Sequence, residues 1–180
     1  MHRTSHETLA PVCFALAVVA LTSCKCAETK PIDPGEVEKK AEAVQREADL
    51  AALPQAGGSL VDQLAAEAAA RQPDTVSLEK VTSVLTQVGL TVGPPRQNLG
   101  NKQLAIYCAS ADTSDGLLLT VCEYPSDAQA ERGEAEANLV QNQLAGHQSR
   151  RKKKSVLHLV PRSDTPPATV EQVLAAFLNL

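Results

Sequence analysis

The chain has 180 residues, with 17 Lys and Arg against 21 Asp and Glu and a net charge of −4, so it lacks the basic footprint of a nucleic-acid binder. Trp is absent and there are two Phe and two Tyr, which leaves few of the aromatic platforms on which bases or sugars stack. The charge is uneven: residues 24–75 carry ten acidic and six basic side chains, whereas residues 76–180 carry ten of each.

The first ten residues are polar, with Arg3 as the fixed cation, His2 and His6 nearby and Glu7 off pattern for a basic leader. Residues 9–21 are apolar apart from Pro11. A run of about a dozen residues is too short for a span of ~20 and fits the apolar core of a signal peptide. It ends in Leu21-Thr22-Ser23-Cys24. An aliphatic residue, two small residues and a cysteine resemble the lipobox of bacterial lipoprotein precursors. An ordinary secretory cleavage site wants small residues at the third and first positions before the cut, and Lys25 with its flanking cysteines fits that poorly. Lys25 also makes Cys26 a poorer acceptor than Cys24.

The resemblance implies cleavage before Cys24, a diacylglycerol thioether on Cys24 and an N-acyl chain. One acyl chain binds membranes marginally, and two or more make the anchor stable. The second mature residue is Lys25, not the Asp that favours inner-membrane retention. The resemblance therefore implies an outer-membrane lipoprotein facing the periplasm in a Gram-negative host. Residues 1–23 are then the signal peptide, 24–74 an acidic, Ala- and Glu-rich, partly helical tether, and 75–180 a small globular domain.

Within the tether, Pro31, Pro34, Pro54, Gly57, Gly58 and Pro73 mark breaks. Between Glu36 and Ala52, the residues Val37, Ala41, Val44, Ala48 and Ala51 recur at 4-3-4-3 spacing and form one narrow, mostly alanine stripe. A second helical piece opens at Ser59, with Asp62 three residues on as an approximate capping box, and runs to about Arg71. Two readings stand: a solvated spacer, or helices that engage a partner protein.

The domain begins with a helix carrying Leu78, Val81, Leu85 and Val88, closed by Gly89. Residues 93–101 read as loop, with a short extended piece at 90–92. Residues 103–109 and 117–124 are strand-like, and Asp112-Thr113-Ser114-Asp115-Gly116 between them is a turn, so an antiparallel hairpin is expected. Pro125 ends the second strand. Ser126 and Gln129 then cap a helix whose face carries Ala130, Gly133, Ala137, Val140 and Leu144. Gly133 on that stripe predicts close packing on the sheet. Residues 155–160 form a third strand, ended by Pro161. A last helix starts at Thr165-Pro166-Pro167 and buries Val170, Val173, Leu174, Phe177 and Leu178.

The expected fold class is α+β: a small two-layer sandwich of order α-β-β-α-β-α with a three-stranded mixed sheet. A right-handed parallel crossover would join its second and third strands. The layout resembles a ferredoxin-like sandwich without its first strand, a likeness of topology that carries no function.

Cys108 and Cys122 lie on the two hairpin strands and can pair if directly opposed. The apolar pattern argues for a register one residue away, because it sets Leu104, Ile106 and Cys108 on one face with Leu117, Leu119 and Val121. That slip would turn Cys122 to the other face. A disulfide and two buried thiols both remain open readings. No Cys-x-x-Cys occurs, so thioredoxin-type chemistry has no support.

The sharpest charge feature is Arg150-Arg151-Lys152-Lys153-Lys154. It reads either as a contact for anionic headgroups or an acidic partner, or as a solvated loop that guards a sheet end from aggregation. His147 and His158 read as structural, half-buried histidines, and Asp112 and Asp115 as turn residues. No metal-ligand spacing, nucleophile elbow or phosphate-binding glycine loop is present, so no metal, cofactor or catalytic residue is expected. The functional reading is a non-catalytic binding or envelope-structural module. The next is a sensor or accessory subunit acting through its tether helices, and an uncharacterised enzyme comes third.

Overall fold

The computed structural model describes residues 33–55, 57–141 and 145–180. The Leu21–Cys24 motif, Lys25, Cys26 and Leu144 lie outside the described residues. The helices are α1 (Pro34–Ala51), α2 (Leu60–Ala69), α3 (Leu78–Gln87), α4 (Asp127–Gln141) and α5 (Pro167–Asn179). The strands are β1 (Arg96–Asn98), β2 (Tyr107–Asp112), β3 (Leu117–Glu123), β4 (Gln148–Lys152) and β5 (Ser155–Pro161). All five strands join one antiparallel sheet in the order β1-β2-β3-β5-β4. The protein is therefore α+β.

Local chemistry accounts for the element ends. Asp33 accepts from the Gly35 amide at the start of α1, and Ser59 and Asp62 exchange both hydrogen bonds of a capping box at α2. Ser77 caps α3, and Gly89 closes it at a φ of 88°. The Ser126 hydroxyl accepts from the Gln129 amide at 3.2 Å and opens α4.

The sheet differs from the expected three-stranded mixed one because two polar strands escaped the hydrophobic pattern. β1 (Arg-Gln-Asn) and β4 (Gln-Ser-Arg-Arg-Lys) are the edge strands. Edge strands in natural sheets carry charge to discourage pairing with other chains, and that charge hides their alternation. The missing β4 also explains the wrong crossover. The chain leaves β3, passes through α4 and returns as β4, which runs parallel to β3 but two positions away. β5 then folds back between them and pairs antiparallel with both. No neighbouring pair is parallel, so the ferredoxin-like layout does not form.

The two-layer expectation is corrected as well. Tyr107, Ala109, Ala111, Leu117, Leu119, Val121, Leu157 and Leu159 face one side of the sheet and form the main core with α3 and α5. Alternate residues face the other way, and there Cys108, Cys122, Tyr124 and Val156 pack with Ala130 of α4. Helices thus cover both faces. Gly133 sits against the Tyr124 ring, where an added Cβ would overlap the ring and hydroxyl. This is the close helix–sheet approach that a glycine on the buried stripe predicts.

The first hairpin strand starts later than residues 103–109 suggest. Gly100–Gln103 forms a 3-10 turn and Leu104 adopts a left-handed φ of 56°. A Cβ on Gly100 would lie 2.8 Å from the Ala105 carbonyl oxygen and 2.9 Å from the Tyr107 nitrogen, so only glycine fits. With Leu104 and Ile106 ahead of the strand, their parity no longer governs its register. Cys108 lies directly opposite Cys122, and the two form a disulfide.

Residues 33–74 are not a free spacer. α1 has one buried residue, Asp49, and α2 has one, Glu67. Each binds a group in the domain. The stripe of Val37, Ala41, Val44, Ala48 and Ala51 faces solvent instead.

Candidate functional site

Three buried carboxylates organise the side of the molecule where the N-terminal helices meet the domain. Arg132 of α4 grips Asp49 through two hydrogen bonds of 2.9 and 2.7 Å, and Gln45 adds a third of 3.0 Å. Glu67 accepts from the Gly100 amide at 2.8 Å and from Gln63 at 3.1 Å, at the N-terminal end of the 3-10 turn. Glu123, at the end of β3, accepts from Arg71 at 3.1 and 2.7 Å and from the Thr75 hydroxyl at 2.8 Å. A buried carboxylate is tolerated when it is paired or hydrogen-bonded: Asp49 and Glu123 are paired with arginines, and Glu67 is held by amide N–H groups alone.

Arg71 is the hub of the third set. Its guanidinium also pairs with Glu79 on α3 at 3.0 and 2.8 Å and stacks over the Tyr107 ring, 4.2 Å from the centroid. Hydrogen bonding to Arg71 pulls the Glu79 carboxyl down to about 2, and Glu79 in turn raises the guanidinium. Burial raises the Tyr107 phenol. Beside this hub lies an open cleft of about 380 Å³ lined by Arg71, Gln72, Pro73, Thr75, Ser77 and Lys80. Lys80 Nζ donates to the Thr75 carbonyl at 2.7 Å, and the Ser77 hydroxyl accepts from the Lys80 amide at 3.4 Å. Arg71 is balanced by two carboxylates, and the Thr75 hydroxyl is buried against Glu123. The cleft is suited to holding a small polar group by hydrogen bonds. Arg71 joins the end of α2 to Glu79 on α3, and Gln72 accepts from Lys154.

The cationic run is divided rather than gathered. Arg150 and Lys152 stand opposite Leu157 and Ser155 and share the α5 face of the sheet, whereas Arg151 points to the α4 face. Glu134 of α4 lies 3.8 Å from the Arg151 guanidinium and accepts the Arg151 amide at 2.9 Å. Lys152 donates to the Leu178 carbonyl, and Lys154 pairs with Asp74 and Gln72 at 2.9 Å each. Lys153 holds a left-handed φ of 52° in the two-residue turn between β4 and β5. Asp112 binds Arg96 and Arg162, and Asp115 accepts from the Thr169 hydroxyl at 3.0 Å. Both aspartates therefore tie the hairpin turn to its surroundings.

On the α4 face, His158 is buried and its Nδ1 lies 2.8 Å from the Ser149 hydroxyl. The half-buried His147 sits beside it, with ring centroids 6.2 Å apart and planes 24° from parallel. Burial, with a smaller contribution from His147, pushes His158 down to about 4, and burial also lowers His147. The Nε2 atoms of both rings are buried and have no hydrogen-bond partner.

Sequence reasoning missed the Asp49, Glu67 and Glu123 clamps. One signal was available: Glu123 is the only acidic residue of an otherwise apolar strand and lies between Cys122 and Tyr124. Asp49 and Glu67 sit in acidic, alanine-rich helices whose other carboxylates are solvated, so nothing local distinguishes them. No family model, curated protein or solved structure matches the chain.

Proposed function

We propose that the protein is a membrane-anchored bacterial lipoprotein, lipidated at Cys24, whose folded part is a non-catalytic binding or structural module of the cell envelope. The observation that carries this reading is the Leu21-Thr22-Ser23-Cys24 motif directly after an apolar run. Three features support it. The Cys108–Cys122 disulfide is the kind of bond that persists in exported compartments. No described helix is long and apolar enough to cross a membrane. Only residues 25–32 separate Cys24 from Asp33. That length reaches at most roughly 30 Å at about 3.3–3.6 Å per residue, which keeps the domain close to the bilayer.

The test is the intact mass of the protein purified from its host's membrane fraction. A mass equal to residues 24–180 plus a diacylglyceryl and an acyl group supports the proposal. A soluble, unacylated product rules it out.

A second reading, an accessory subunit that engages a partner through its N-terminal helices, draws on a different observation. Val37, Val44, Leu60 and Val61 are among the most exposed large apolar side chains of the described residues. Replacing Val37 and Val44 by Asp leaves the anchor and the domain contacts intact. Loss of envelope function in that variant would favour this reading over a self-sufficient domain.

A further inference from the structure

The β4–β5 ladder places Ser149 directly opposite His158. His147 immediately precedes β4, and its ring lies near that of His158, with centroids 6.2 Å apart. The Ser149 hydroxyl fixes the His158 ring through Nδ1. Both Nε2 atoms are then left buried without a hydrogen-bond partner. An unsatisfied buried polar atom is costly, and here two occur in neighbouring rings.

We propose that His147 and His158 bind one monovalent d10 metal ion of the copper(I) class through their Nε2 atoms, with Ser149 positioning the His158 ring. Imidazole nitrogen is a good ligand for copper and zinc. A bound ion lies about 2.0 Å from such a nitrogen, and the ring centre is about 1 Å further in, so two rings on one ion at a wide angle have centres roughly 6 Å apart. The observed separation is 6.2 Å.

The rest of the face selects the charge and coordination number of the ion. Among the described residues no three His, Cys, Asp or Glu side chains group into a metal site. Zinc asks for four ligands and calcium for six or more oxygens. The carboxylate described on this face, Glu134, is already taken by the amide and guanidinium of Arg151, so among the described residues none is left beside the rings to offset a second positive charge. Burying an uncompensated ion is costly and rises with its charge, so a two-coordinate monovalent ion fits where a divalent one does not. With Nδ1 protonated and donating to Ser149, His158 presents its Nε2 lone pair. A hydrogen bond of this kind to the distal ring nitrogen is how bound histidines are oriented. Metal binding takes the neutral imidazole. The half-buried His147 provides the way in. This proposal does not depend on lipidation.

The test is a copper(I) competition titration against a chromophoric chelator, done anaerobically on the full mature chain. Cys24→Ser and Cys26→Ser remove thiols that would compete for the ion. The expected result is one equivalent bound, with X-ray absorption reporting two nitrogen neighbours in a near-linear arrangement. His147→Gln should abolish stoichiometric binding, and Ser149→Ala should weaken it by about 10–100-fold. His147 is half-buried, so its variant should keep the parent circular dichroism spectrum and supplies the decisive comparison even if His158→Gln fails to fold. No binding by the parent, binding unchanged in His147→Gln, or tighter binding of zinc(II) than of copper(I) would each overturn the proposal.

Discussion

The Gly100 amide donates a 2.8 Å hydrogen bond to the fully buried carboxylate of Glu67, 33 residues earlier in the chain. The bond fastens α2 to the 3-10 turn that precedes β2. Gln97 strengthens the contact by donating to the Leu64 carbonyl at 2.7 Å. These bonds tie α2 to β1 and to the 3-10 turn. Glu67→Ala should lower the urea unfolding free energy by about 1–3 kcal/mol, because buried amides lose their acceptor. Glu67→Gln retains an acceptor and should lose less. Equal losses for the two variants would show that the carboxylate's hydrogen bonds do not hold α2.

The attachment of α1 is of a different kind. Asp49 is its only buried residue, and its links to the domain are Asp49–Arg132 and the solvent-exposed Arg46–Glu136 pair. Exposed pairs contribute little, typically ~0–1 kcal/mol, so the Arg132 contact decides whether α1 stays docked. Arg132→Ala should raise amide hydrogen exchange across residues 34–51 and leave the sheet protected. High salt should move the parent in the same direction, since screening weakens charge pairs near the surface. Unchanged exchange in α1 would mean that Leu53 and the chain leading into α2 hold the helix without the ion pair.

The parts that were legible in the sequence share a physical property: they bury apolar side chains at a regular period. Leu78, Val81 and Leu85 mark α3, and Val170, Val173 and Phe177 mark α5. Leu117, Leu119 and Val121 mark one face of β3. The parts that were not legible are edges and long-range charge pairs. β4 carries three cations in five residues, so its alternation disappears under the charge that protects an edge. Asp49 meets Arg132 across 83 residues and Arg71 meets Glu123 across 52, and no local window contains both partners. The His147–His158 pair was hidden for the same reason as β4: its geometry exists only once β4 is known to pair with β5.

The Cys108–Cys122 disulfide joins directly opposed residues of β2 and β3 beneath α4. A double Cys108→Ala, Cys122→Ala variant should lose about 2–3 kcal/mol, chiefly by freeing the unfolded chain. The loss should appear in the unfolding midpoint and not in the native circular dichroism spectrum, since the two strands also pair through the full β2–β3 ladder. A variant as stable as the parent would place the stabilisation in the ladder alone.

Acid stability should report on His158 before it reports on the carboxylates. The unfolded imidazole titrates near 6.5, whereas burial holds the folded one at about 4. The folded pKa is depressed, so the unfolded chain takes up the proton first. Stability from this group is whole above about pH 6.5 and is lost as the pH falls towards 4, by roughly 3 kcal/mol at most. Glu79, held down to about 2 by Arg71, loses its contribution only lower, as the pH falls from about 4.5 towards 2. The window between pH 6.5 and 5 is therefore dominated by the two histidines, His158 first because it is the more deeply buried. Urea midpoints should fall across that window in the parent and fall less steeply in His158→Gln, where the half-buried His147 still contributes. Parallel slopes in the two proteins would mean that the His158 ring stays solvated enough to charge within the folded state.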